Sequence, residues 1–193
     1  MTENKGYLQR YAMLFGTYLG GFWILKFILF PLGLTTPFLF FLFAGLTLCV
    51  PFMAYYYVRM YRNQVCGGAI SFLHAWIFTV FMYMFAALLT AVGHYIYFGF
   101  IDNGFIANAY LGILQEAGKT PIAGLGSSLK QFEETVKMLG ALRPIEMTMQ
   151  LLSQNVVYGA LLALPIAFFV KKKVFVPIEN TKEENNQEED NKE

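Results

Sequence analysis

Apolar residues in this chain come in four long blocks, over residues 11–30, 36–58, 70–98 and 147–170. A helix needs roughly 20 apolar residues to cross the hydrocarbon core of a bilayer, and every block reaches that length. The pattern predicts an all-α integral membrane protein. Its membrane domain, residues 1–176, is expected to be a four-helix bundle with a large, partly helical extracytoplasmic loop between spans three and four.

The breaks between blocks have their own chemistry. Pro31 and Gly33 are expected to end the first block, because proline breaks a helix and glycine allows the turn. Thr36 reads as an N-cap, with Pro37 at the first helical position. Pro51 is expected to kink the second block. Arg59 to Gly68 reads as a basic turn. There Gly67 and Gly68 allow a tight return into block three, with Ser71 placed to cap it.

The large loop, residues 101–146, is too long to be structureless in a compact protein. Phe105 to Ala117 can form a helix that Gly118 stops. Ser128 and Gln131 read as a capping box opening a second helix. In it Leu129, Phe132, Val136 and Leu139 recur at helical spacing, opposite Lys130, Glu133, Glu134 and Lys137. Two readings suit this stripe equally: a helix lying on the outer membrane surface or capping the bundle, or an ordinary surface helix packed on its own loop. Residues 177–193 are acidic, of low complexity and nearly free of apolar side chains, the composition of a disordered cytoplasmic tail.

Composition agrees with the blocks. The chain is 56% hydrophobic and 14% charged, against about 25% charged in soluble domains. The net charge of +1 hides a segregation. Lys5, Arg10, Arg59, Arg62, Lys171, Lys172 and Lys173 all flank one side of the blocks. On the other side the first loop has no lysine or arginine, and the second balances four bases against five acids. The positive-inside rule then puts both termini in the cytoplasm. No clustered basic face suggests nucleic acid. Cys49 and Cys66 form no metal or redox motif. The first block lacks a small-residue cleavage site and leads directly into the second, so it reads as a retained span.

Candidate chemistry is sparse. Lys26 is the one charge inside a block, and intramembrane charges are the strongest functional pointers in such chains. Its stem reaches the outer interface if it snorkels, a rise of roughly 7.5 Å to Pro31 at 1.5 Å per residue. His94, Ser153, Gln154 and Asn155 fall at the same depth, so Lys26, His94, Gln154 and Asn155 form a candidate polar layer. They either line an outward cavity or make interhelical hydrogen bonds, and the latter is the simpler reading. His74 and His94, about 30 Å apart along one helix, cannot share a metal. No catalytic constellation can be assembled, and no acid lies within a block. No cofactor is implied. Gly16, Gly20 and Gly21 are spaced for close helix packing.

Tyr61-Arg62-Asn63, then Gly67-Gly68-Ala-Ile-Ser71-Phe72, then Tyr95-x-Tyr97 leading to Ile101-Asp102 form a recognisable series. With the partly helical loop and the lysine-rich end of the last span, over about residues 8 to 173, the chain resembles the bacterial membrane family called domain of unknown function 4199. The resemblance implies four spans and a bacterial inner-membrane address, and carries no functional residue.

Three functions remain open. The first, favoured by the missing catalytic set, is a non-enzymatic accessory or scaffold component of the envelope. It would touch membrane lipids and bind a protein partner through the outer loop or acidic tail. The second is a small transporter or channel using the outward polar layer. The third is a lipid- or glycan-linked membrane enzyme, which requires Asp102, His94, Glu146 or Arg143 to converge.

Overall fold

The computed structural model describes residues 3–119 and 125–172. Six helices follow in order: α1 Glu3–Gly33, α2 Pro37–Gln64, α3 Phe72–Phe100, α4 Phe105–Gly118, α5 Leu125–Gly140 and α6 Pro144–Val170. Helices α1, α2, α3 and α6 are long and apolar enough to cross a membrane, so the chain is an all-α membrane protein. The acidic tail and Lys173 lie outside the described residues.

Helix α3 is central. Half of its apolar window (50%) is buried, against 11% for α2, and it packs against both α1 and α6. Helices α1 and α3 approach closely where α1 has no side chain: a Cβ on Gly16 would sit 2.7 Å from Phe85 Cβ and 2.8 Å from the Met82 carbonyl. The glycine spacing thus serves packing within the chain.

The four long helices are tied together at the end where α1 begins and α6 stops, here termed the terminal end. Ile70 and Lys172 exchange backbone hydrogen bonds, both at 3.0 Å. Arg62 Nη1 donates to the Val170 carbonyl at 2.9 Å. Tyr61 stacks on Phe78 with ring centroids 3.9 Å apart, and its hydroxyl lies 3.1 Å from His74 Nε2. Gly67 and Gly68, at φ +62° and +86°, make the turn. Ser71 Oγ accepts from the His74 N–H at 3.3 Å and caps α3.

Helix boundaries differ from the block boundaries where polar residues extend a helix beyond the apolar run. Helix α2 continues to Gln64, so Arg59 and Arg62 are helical and the turn begins only at Val65. Helix α1 passes through Pro31 and stops at Gly33, because a proline near a helix end removes only one ladder bond. Thr36 and Pro37 stand at the cap and first position of α2, although the Thr36 side chain makes no cap bond. Helix α5 starts at Leu125, which leaves Ser128 inside the helix and not at its cap. The local capping pattern yields there to a helix that packs along α4. Helix α6 opens at Pro144, with the Glu146 carboxylate accepting from the Arg143 backbone N–H at 2.9 Å.

Candidate functional site

Helices α2 and α6 pack most closely at the terminal end and part toward the other, the loop end, while α1 and α3 stay in contact there. Helix α2 buries Val50, Ala54, Val58 and Tyr61, all from its midpoint onward. Helix α6 buries Thr148, then nothing until Gly159. Between the parted halves lies a cavity of about 1170 Å³, larger than the roughly 300–1,000 Å³ of ordinary small-molecule pockets.

Each long helix contributes a wall. Trp23, Lys26 and Phe27 come from α1, and Phe43, Thr47 and Pro51 from α2. Tyr83, Thr90 and His94 come from α3, and Leu151, Asn155 and Tyr158 from α6. Helices α4 and α5 pack against each other and close the loop end. The apolar stripe of α5 (Leu129, Phe132, Val136 and Leu139) lines the cavity. Tyr110 on α4 also faces it. Burial pushes that phenol's pKa up, so the hydroxyl remains a donor at neutral pH.

The lid is held by a local device. Asp102 accepts from the Gly104 N–H through Oδ2 and from the Ile106 N–H through Oδ1, both at 3.1 Å. Asn103 and Gly104 both take positive φ, +43° and +80°. The carboxylate therefore turns the chain and caps the start of α4.

Lys26, His94 and Asn155 share this cavity, whereas Gln154 and Ser153 are exposed on the outer side of α6. Among the described residues no side-chain hydrogen bond joins Lys26, His94, Gln154 and Asn155. Among the described residues Lys26 has no carboxylate partner. Its Nζ lies 5.3 Å from the Phe43 ring centroid and 6.0 Å from that of Trp23. His94 is 5% exposed. Its ring meets Phe27 edge-on at 4.3 Å, and its Nδ1 has no hydrogen-bond partner.

Three buried side-chain atoms lack partners among the described residues: Trp23 Nε1, Tyr83 Oη and His94 Nδ1. All three residues line this one cavity. Buried polar groups nearly always find a partner, and each exception calls for an explanation. Trp23 and Tyr83 did not emerge from the sequence. Their signals were available: Trp23 stands three residues before Lys26, on the same helix face. Tyr83 lies mid-span, far from either interfacial aromatic belt.

The family model described as "Protein of unknown function (DUF4199)" matches residues 14–172. The chain belongs to this family. No curated protein and no solved structure matches it. The family match takes in every residue that lines the cavity, from Trp23 to Leu162, so the cavity is built entirely from family sequence.

The basic residues Arg59, Arg62, Lys171 and Lys172 gather at the terminal end, where α2 stops and α6 stops. Arg143 and Glu146 pair with each other at 2.6 Å on the exposed start of α6, and neither lines the cavity.

Proposed function

We propose that this protein is a non-enzymatic accessory component of a bacterial inner membrane that holds an amphiphilic molecule in the cavity between its long helices. The convergence on one largely apolar cavity of Lys26 and three side chains that each carry a partnerless polar atom, Trp23, Tyr83 and His94, carries the reading. An apolar pocket with a few converging polar groups is the usual form of a ligand site.

Holding is favoured over transport by the packing of the terminal end. Val58, Tyr61, Phe78, Ala167 and Val170 are all buried there, so the described residues pack closely beneath the cavity. Binding is favoured over enzymatic chemistry because Asp102 is engaged as a cap and Arg143 and Glu146 are paired outside. Gathering of basic residues at the terminal end supports a cytoplasmic position for both termini and an extracytoplasmic α4–α5 lid. The lid and the acidic tail are then the surfaces open to a protein partner.

Native mass spectrometry of the full-length protein in neutral detergent tests the reading. A tail-bearing molecule should remain bound at one equivalent. Leu151→Trp, which fills the cavity, should release it while the protein stays folded. A wild-type protein free of any adduct, that also takes up no added amphiphile, overturns the proposal. Impermeant thiol labelling tests the orientation: Ser127→Cys should label from outside intact cells and Asn63→Cys should not.

A further inference from the structure

Helix α1 continues seven residues beyond Lys26, to Gly33. The lysine Cα is therefore about 10 Å below the helix end at 1.5 Å per residue. Side chains on a helix lean toward its N-terminus, which here means deeper into the long-helix layer. The ammonium follows that direction: it lies over Trp23, one turn deeper, and over Phe43 of α2. Lys26 thus points into the cavity instead of snorkelling to the loop end.

An ammonium in such a place is costly without an anion. Aromatic faces return only part of that cost. Among the lining residues the one carboxylate is Asp102, and its two oxygens are taken by the N–H groups of Gly104 and Ile106. His94 Nδ1 and Trp23 Nε1 add polar atoms without partners, each on a side chain more than nine-tenths buried. The remaining surface is aromatic and aliphatic. Such a lining wants an acceptor-rich, negatively charged head and an apolar tail.

The seam between α2 and α6 provides the way in. Phe43 and Thr47 of α2 and Leu151 and Asn155 of α6 all line the cavity, and none of the four is buried. A tail can slide in from the bilayer beneath the α4–α5 lid.

We infer that the cavity takes an anionic amphiphile, with Lys26 as the counter-ion of its acidic headgroup and the tail admitted from the lipid phase between α2 and α6. The inference rests on the amphiphile-binding function proposed above and names the chemistry of the ligand. Lysine acts as a point charge without the forked geometry of arginine. The shared chemistry is therefore a singly charged oxoanion on a tail, supplied by a fatty acid carboxylate or by a phospholipid phosphodiester.

The test titrates full-length protein in neutral detergent with oleate, oleyl alcohol, phosphatidylglycerol and phosphatidylcholine, followed by native mass spectrometry. Wild type should bind oleate more tightly than oleyl alcohol, or phosphatidylglycerol more tightly than phosphatidylcholine, by tenfold or more. The pair that shows the preference identifies the source of the headgroup. Lys26→Gln should erase that preference, and Lys26→Arg should keep most of it. Equal binding of the charged and neutral partners in wild type overturns the anion assignment while leaving amphiphile binding intact. A preference that survives in Lys26→Gln overturns the role of the lysine. Binding of none of the four amphiphiles removes the underlying function as well. The wild-type comparison decides the anion question even if the Lys26 variants do not fold.

Discussion

Arg62 on α2 donates from Nη1 to the Val170 carbonyl, 108 residues away, at 2.9 Å. Val170 is the last residue of α6, so this guanidinium caps one of the carbonyls that a helix end leaves unsatisfied. It also places a cation at the negative end of the helix dipole. The sequence presents Arg62 as a determinant of orientation, and the fold adds a second task.

The two tasks can be separated. Arg62→Lys keeps the charge but loses the planar fork, so orientation should be unchanged while the cap weakens. Arg62→Ala should destabilise the protein by about 1–3 kcal/mol, the range for a hydrogen bond from a charged donor. Thermal unfolding in detergent should rank wild type above the lysine variant and the alanine variant last.

Gly16 makes a sharper packing prediction. A methyl group there meets Phe85 Cβ and the Met82 carbonyl well inside contact distance. Gly16→Ala should cost about 1–3 kcal/mol, as overpacking usually does. Gly21, on the same helix with nothing within 4 Å of its would-be Cβ, is the control. Gly21→Ala should be neutral or stabilising through helix propensity. Equal melting temperatures for the two variants would contradict the close α1–α3 approach.

Asp102 is expected to act on the lid and not on the core. Loss of an N-cap side chain costs about 0.5–2 kcal/mol. Asp102→Ala should therefore raise hydrogen exchange at the Gly104 and Ile106 amides and speed proteolysis within residues 101–118. Exchange in α3 should stay as in wild type. Asp102→Asn, which retains one acceptor oxygen, should fall between.

Cys66 lies in the turn between α2 and α3, where burial pushes its thiol pKa up. The thiolate is the reactive form, so a raised pKa means a smaller reactive fraction at any pH below it. In a Cys49→Ala background, alkylation at pH 8 should be slower than for an exposed thiol. The rate should keep rising with pH beyond the range where an ordinary thiol levels off. Unfolding the protein should abolish the difference.

Much of the fold was legible in the chain. The four long helices follow from apolar run length, because every backbone polar group in a bilayer must be satisfied internally. The turn at Gly67 and Gly68 and the cap at Ser71 were legible because they depend on local backbone geometry. Helix limits were less so. Arg59 and Arg62 read as a turn because polar residues interrupt an apolar count without interrupting a helix.

The candidate site was half legible. Lys26, His94 and Asn155 could be placed at one depth by counting residues from the helix ends. Counting gives depth but not rotation about the helix axis, so it groups Gln154 with Asn155 although Gln154 is exposed. Trp23 and Tyr83 were hidden among many other aromatic side chains.

The sequence by itself determined that the chain is helical, membrane-inserted and basic at one end, because run length and charge position act locally on each segment. Only the tertiary structure decided that α2 and α6 part toward the loop end, and that α5 turns its apolar stripe over the gap. It also decided that Lys26 points inward. These depend on which helix faces meet, set by close approaches such as Gly16 to Phe85 and ties such as Arg62 to Val170, between residues far apart in the chain.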